Sequence, residues 1–230
     1  MRNLIVCMLL SFCCTLAAQE SDNRFKFNAG IKAGFQAIAY NDPEFEIDGY
    51  SYNENTIHSN KIGYTIAPFF RLSYGRLYIQ TDAAFGITHR NFDFTDKHKN
   101  SIEEITPNIP QYDIRTYCMQ VPLLIGYEYI KKAKYGMSVF TGPRTKFTFT
   151  SLDKQQFKHF VYNDLEEVLK KKSYYWEIGF GVRIHNVFFD FVYDLGLTDT
   201  SRYIISPNSD KKFKSGYKEN ILSFSVGMIF

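Results

Sequence analysis

The sequence carries five histidines, His58, His89, His98, His159 and His185, and none stands at ligand spacing from a second His, a Cys or an acidic residue in a recognisable metal motif. No Gly-x-Ser-x-Gly turn offers a nucleophile, and no glycine-rich loop offers a phosphate cradle. Gly179-Phe180-Gly181 matches two-thirds of a dinucleotide fingerprint, but its flanks read as strand rather than as the start of a helix. What does recur is charge at alternate positions. Lys32, Arg71, Arg144 and Arg183 carry one sign, and Asp82, Glu128, Glu177, Asp190 and Asp194 the other. Each sits in the small or polar row of an apolar/polar alternation. Opposite charges in near balance on such rows point to packed ion pairs rather than to catalysis. The sequence thus predicts no enzyme, no cofactor and no metal site.

The rows themselves are strands. Period-two alternation runs through eight segments, at 25–39, 61–72, 77–87, 120–129, 135–146, 174–184, 187–195 and 222–230. In the first, Phe25, Phe27, Ala29, Ile31, Ala33 and Phe35 oppose Lys26, Asn28, Gly30, Lys32, Gly34 and Gln36. Residues 73–76, 131–134 and 185–186 are tight turns, whereas 40–60, 90–111, 148–172 and 197–216 are long connections. An even strand count with short turns at one rim and long loops at the other describes a closed, antiparallel outer-membrane β-barrel. Hydrocarbon offers no partner to a strand edge, so the sheet must close. Apolar rows then face lipid and the charged rows face inward. Eight strands leave an interior that side chains fill, which argues against an open pore. A soluble eight-stranded lipid-carrier barrel is the rival; it would turn Trp176, Phe180 and Phe191 inward.

Two details refine this expectation. Tyr40, Tyr74, Tyr129, Tyr135, Tyr174 and Tyr217 fall near strand ends, as interfacial girdles require. Pro68, Pro122 and Pro143 fall inside strands, where each removes a ladder hydrogen bond, so bulges are expected there.

Export is written into the start of the chain. Met1-Arg2-Asn3 is a short basic n-region, Leu4 to Cys14 is apolar apart from Ser11, and Thr15 to Gln19 supplies small residues for cleavage after Ala18 or Ala17. Residues 1–18 are read as a signal peptide and 19–230 as the barrel domain. Bulky Phe12 before Cys13 argues against a lipoprotein. Cys7, Cys13 and Cys14 leave with the signal, so Cys118 stands alone and no disulfide framework exists. No later stretch is free of charge for the length of a transmembrane helix; the longest such run is Thr116 to Tyr127. A formal net charge of +3 in 230 residues gives no case for nucleic acid. Hydrophobic residues at 45%, with 22 Phe and 17 Tyr, exclude disorder and suit half-apolar strands.

One long connection breaks the pattern. Phe157, Val161, Leu165, Val168 and Leu169 recur at helical spacing, and residues 152–172 lack Gly and Pro. Ser151 or Asp153 could cap a helix there, and Lys170-Lys171-Lys172 suits its C-terminus. A helix is expected, folded over the barrel mouth or offering a partner- or lipopolysaccharide-binding face.

Several segments resemble a known family. Gln120-Val121-Pro122-Leu123-Leu124-Ile125 resembles the "acidic-aliphatic-Pro-Leu-Leu" strand of the Bacteroidetes outer-membrane β-barrel family often labelled PorT-like, with Gln120 in place of the commoner Glu. Thr141-Gly142-Pro143, Gly179-Phe180-Gly181-Val182 and Tyr193-Asp194-Leu195-Gly196-Leu197 resemble its later strands. The closing row, with Val226, Met228 and a carboxy-terminal Phe230, resembles the signal by which barrels are handed to the outer-membrane assembly machinery. The resemblance implies an integral outer-membrane protein in contact with outer-membrane lipid and lipopolysaccharide. It implies either a structural or ligand-binding surface protein acting through its long loops, or an accessory component of a secretion or assembly system with secretion-system proteins as partners. A small porin or a lipid-modifying barrel enzyme ranks third. His89 stands where outer-membrane lipid-A deacylases place a catalytic His, but Asn91 occupies the position of their Ser.

Overall fold

A computed structural model describes residues 25–47, 50–52, 61–96, 110–132, 134–162 and 164–230. Residues 1–18, expected to be a signal peptide, lie outside these, as do large parts of the first two long connections. Thirteen strands form one sheet: β1 (Phe25–Ile47), β2 (Tyr50–Tyr52), β3 (Lys61–Tyr74), β4 (Leu77–Asp82), β5 (Ala84–Asp96), β6 (Gln111–Lys131), β7 (Tyr135–Thr148), β8 (Lys154–Lys158), β9 (Glu166–Leu169), β10 (Lys172–Ile184), β11 (Val187–Gly196), β12 (Ser201–Ser206) and β13 (Lys211–Ile229). β4 and β5 are one strand interrupted at Ala83.

Counted that way, eight antiparallel strands close a ring. Phe27 pairs with Leu72, Leu72 with Ile79, Ile79 with Ile125, Ile125 with Thr141, Thr141 with Ile178, Ile178 with Tyr193, Tyr193 with Leu222 and Leu222 with Ala37. One circuit that starts at Phe27 therefore returns to the same strand at Ala37. For eight strands, a stagger of that size tilts them by about 40° to the barrel axis. β13 pairs with β1 from Gly30–Ile229 onward, so neither terminal strand leaves an edge in lipid.

Phe25, Phe35, Tyr64, Ile79, Ile125, Trp176, Phe180 and Leu222 all point out and are exposed, while Lys32, Arg71, Asp82, Arg144, Glu177 and Asp194 point in and are buried. This assignment excludes the soluble carrier, whose apolar rows would be inside.

The prolines produce no bulge. Partner spacing is unchanged on either side of Pro68, Pro122 and Pro143. A one-residue slip would swap every side chain beyond it between lipid and interior. The sheet instead forgoes a few ladder bonds around Ala83, where the Ala83 amide donates to the Pro68 carbonyl (3.1 Å) and Thr81 Oγ1 donates to the Pro122 carbonyl (2.8 Å). Irregular register falls elsewhere, between Asn41 and Glu44, Glu128 and Ile130, and Ser201 and Tyr203.

The long connections are not loops throughout. β1, β5, β6 and β13 run on past the ends of β3, β7, β10 and β11, and short strands take the vacated places. β2 lies between β1 and β5, β8 adds to β6, and β12 and then β9 add to β13. The result is a second, smaller storey on the barrel.

The predicted helix across residues 152–172 is absent. Residues 150–152 form one turn of 3-10 helix, and β8 and β9 follow. β6 outruns β7, so its edge from Gln111 to Arg115 needs a partner, and Lys154–Lys158 supplies it. That demand for backbone pairing outweighs helical spacing, which is a weak preference. Leu165 and Leu169 are buried in the second storey, Phe157 packs against it, and Val161 is exposed.

Candidate functional site

The interior is filled in layers. Toward the short turns, four inward glycines each have an inward aromatic as direct cross-strand partner: Gly30 with Phe69, Gly126 with Tyr78, Gly179 with Phe140 and Gly227 with Phe188. A methyl group on any of the four would lie 2.1–2.5 Å from the partner ring. Small residues are thus what lets the strands close around large ones.

The charged rows meet among and above these rings. Lys32 Nζ lies 2.6 Å from Asp82, Arg144 Nε lies 2.9 Å from Glu177, and Arg144 Nη1 also pairs with Asp194. The side-chain amides of Gln36 and Gln120 exchange hydrogen bonds at 3.1 and 3.2 Å. The Arg71 guanidinium lies 4.2 Å from the centroid of Tyr78 and donates from Nε to Gln80 (2.8 Å). Asp190 is buried within electrostatic reach of Lys32 and Arg71. Glu128 pairs with Lys131 at 3.2 Å at the rim. Arg183 stands apart from the network: half-buried near the β10–β11 turn, it donates to the His185 carbonyl at 3.2 Å. It lines a small cavity together with Arg71, Glu128 and Asp190, but forms no ion pair among the described residues.

A further buried cluster lies between this network and the second storey. Glu219 accepts from Arg90 Nη1 (2.6 Å), Lys146 Nζ (2.7 Å) and the Tyr175 hydroxyl (2.9 Å). Arg90 also donates to Tyr217 (3.0 Å) and Thr116 (2.8 Å). Above it the inward face turns apolar: Ile38, Tyr40, Phe92, Phe94, Tyr112, Ile114, Leu165, Ile204 and Tyr217 pack together and plug that end. Tyr40 and Tyr217 belong to this plug and not to a lipid-facing girdle, a role left to Tyr74, Tyr129, Tyr135 and Tyr174. Arg90 and Glu219 lie where the period-two signal changes sense. Arg90-x-Phe92-x-Phe94 and Tyr217-x-Glu219-x-Ile221 still alternate, and that is the signal by which they could have been found.

The second storey has one seam. β8 and β9 are not paired, but Gln155 Nε2 donates to the Glu167 carbonyl (2.9 Å) and the Glu167 amide donates to Gln155 Oε1 (2.7 Å). A cleft of about 710 Å³ opens along this seam, lined by Asp153, Gln155, Glu166, Glu167, Lys170, Lys171, Lys172 and Arg202 among others. The Glu167 carboxylate is turned away to Tyr112 (2.6 Å). Burial pushes the Asp153 carboxyl up to about 6, with the Arg90 charge pulling the other way. His89 points outward beside Arg115, next to half-buried Asn91.

A family model described as "Outer membrane protein beta-barrel domain" matches residues 17–202. The chain belongs to that family. It is similar to the outer membrane protein OprG from Pseudomonas aeruginosa, with a TM-score of 0.52 and 13% identity over 88% of this chain and 95% of that one. At that identity the likeness is one of fold. Lower similarities are found to Ail of Yersinia pestis (TM-score 0.39, 11% identity, 89% of this chain and 99% of that one) and to the translocator domain of the autotransporter NalP from Neisseria meningitidis (TM-score 0.30, 9% identity, 99% and 95%). No curated protein matches the sequence.

The protein is therefore an integral outer-membrane β-barrel. In such barrels short turns face the periplasm and long connections face outward. The turns 74–77 and 184–187, with both Phe25 and Phe230, accordingly mark the periplasmic rim, and the plugged second storey is extracellular.

Proposed function

We propose that the protein is a non-enzymatic surface protein whose working part is the extracellular storey, held in the outer membrane by a closed barrel. The observation that supports this most directly is the interior, occupied from rim to rim by aromatic rings, ion pairs and the tyrosine-rich plug. A barrel so filled argues against an open channel, and what it offers to the outside is the face of the storey above the lipid. Outer-membrane lipid and lipopolysaccharide are its lateral partners along the apolar band. The assembly machinery is the partner of its last strand. The test is conductance of the purified protein in planar bilayers. Stable single-channel steps would overturn the reading, and their absence together with binding by the extracellular storey would support it.

A second reading, an accessory component of a secretion or assembly system, is favoured by the resemblance carried by residues 120–125 and 141–143. Recovery from membranes in mild detergent separates the two, because an accessory component comes away in a stable complex with secretion proteins.

A further inference from the structure

We propose that the seam between β8 and β9 is an acceptor slot for one extended, acidic peptide strand, which completes the extracellular storey by β-strand addition. The inference rests on the surface-binding reading above and names the class of partner.

The storey is a ring of eight places, β1, β2, β5, β6, β8, β9, β12 and β13, and seven of its eight junctions are backbone ladders. The eighth is a side chain. A glutamine side-chain amide holds an NH2 donor group and a carbonyl acceptor in one plane, and so can offer the same donor–acceptor pair as a peptide unit. Gln155 presents both to the amide and carbonyl of Glu167, as a neighbouring strand would. The backbone groups of Glu167 thus point into the seam, away from β12, and hold a stand-in for a strand. On the other side β8 pairs with β6 along one edge, has no ladder partner on its second edge among the described residues, and lines the cleft through Gln155. Two strand edges facing one another across a space are a template for a further strand. The cleft, at about 710 Å³, is within the size range of sites that enclose a small ligand or short peptide segment.

Charge selects the occupant. Lys170, Lys171, Lys172 and Arg202 line the cleft. Lys171 and Arg202 are exposed and make no ion pair among the described residues, and Lys170 reaches only Asp199, at 3.6 Å. Of the carboxylates present, that of Glu167 is bound to Tyr112 and that of Asp153 is withdrawn from solvent, which leaves Glu166 alone exposed. A basic rim over open backbone groups fits an extended segment with acidic side chains. The incoming strand displaces the Gln155 amide and takes over its two hydrogen bonds.

The experiment uses the purified full-length barrel in detergent micelles and a fluorescent peptide that alternates Thr and Glu. Its controls are the same peptide with Lys for Glu, and with N-methyl groups at alternate positions. Fluorescence anisotropy is expected to show the Glu peptide binding at least about tenfold more tightly than either control. Gln155→Ala, which removes the internal competitor, is expected to tighten binding several-fold, and Lys171→Glu with Arg202→Glu to abolish it. Hydrogen exchange of the Glu167 amide in the unaltered protein should slow on peptide addition, a readout independent of how the variants fold. Equal binding of the N-methylated peptide would mean polyanion recognition without strand addition, and would overturn the proposal. So would weaker binding by a folded Gln155→Ala protein, or concentration-dependent self-association that buries the seam, which would make a second copy the occupant. Conductance on the same preparation keeps the two readings apart. A conducting barrel defeats the surface-protein reading, whereas a closed barrel that ignores the peptide defeats only strand addition.

Discussion

Gln155 and Glu167 are joined by two hydrogen bonds, 2.9 and 2.7 Å long, although the strands that carry them share no ladder. Each bond contributes about 1 kcal/mol, so Gln155→Ala should loosen β8 and β9 by about 2 kcal/mol. We expect faster proteolysis between them, near His159 to Leu165, and unchanged melting of the barrel below. Unaltered cleavage there would mean that the seam is held by something other than this side chain.

Arg144 serves two carboxylates from neighbouring strands, Glu177 and Asp194. Arg144→Met leaves Glu177 and Asp194 buried without their cation, a change worth about 3–5 kcal/mol. Urea unfolding in detergent, followed through the single tryptophan, Trp176, measures it. Adding Glu177→Gln and Asp194→Asn should restore most of the loss. If the single variant is as stable as the parent, the network contributes little.

Gly126→Ala brings a methyl carbon to 2.1 Å from the Tyr78 ring, whereas the same change at Gly216 meets nothing within 4 Å. The first should cost about 1–3 kcal/mol through overpacking and reduce the heat-modifiable folded fraction on gels. The second should leave that fraction unchanged. Similar outcomes for both would refute the ring-and-glycine account of barrel closure.

For Asp153 the direction of pH dependence follows from its raised folded value, about 6 against an ordinary 3.8. Between those values the folded form holds more protons than the unfolded one, so this group's contribution to stability falls as pH rises from about 4 to 6. Above pH 6 the full penalty of a buried carboxylate is present. Asp153→Asn should therefore raise the melting temperature of the extracellular storey at pH 7.5 and leave it unchanged at pH 3.5. A gain of equal size at both values would point to shape rather than charge.

Phe224 touches three rings, Phe35 at 5.5 Å, Phe189 at 6.3 Å and Phe191 at 4.8 Å, while Phe230 is 70% exposed and is tied in by its backbone amide, which donates to the Ala29 carbonyl (2.8 Å). On packing alone Phe224→Ala should be the more damaging change. If Phe230 is also read during assembly, deleting it should lower the amount of folded barrel in cells more than Phe224→Ala does, yet cost less stability once refolded. The reverse order in cells would remove the assembly role of Phe230.

The membrane storey was legible because lipid enforces a strict rule: along 25–39 or 222–230 every second residue must be apolar, and a slip is not tolerated. The charged interior followed from the same rows, since Lys32, Asp82, Arg144, Glu177 and Asp194 could face only inward. What lay beyond the rows was harder to read. Arg90 and Glu219 sit where alternation persists but apolar and polar residues exchange sides, and a search for apolar-out rows ends there. The segment from Phe157 to Leu169 has helical spacing, yet its fate is decided by a distant unpaired edge on β6, to which no local pattern refers. Gln155 carried no signal at all, since a glutamine that imitates a strand looks like any polar residue on one.

That exchange of sides also works as a waterline. On β6 the outward row passes from Tyr127, Ile125 and Leu123 to Arg115, Asp113 and Gln111, and on β13 from Val226, Phe224 and Leu222 to Lys218, Lys214 and Lys212. Sinking the barrel by one turn of the pleat would drag cations and carboxylates into hydrocarbon, and lifting it would strand phenylalanines in water. The protein thus rides at one depth, and the threshold between storeys is held level with the lipid headgroups. A bilayer thickened by longer acyl chains would have to thin around this barrel rather than raise it.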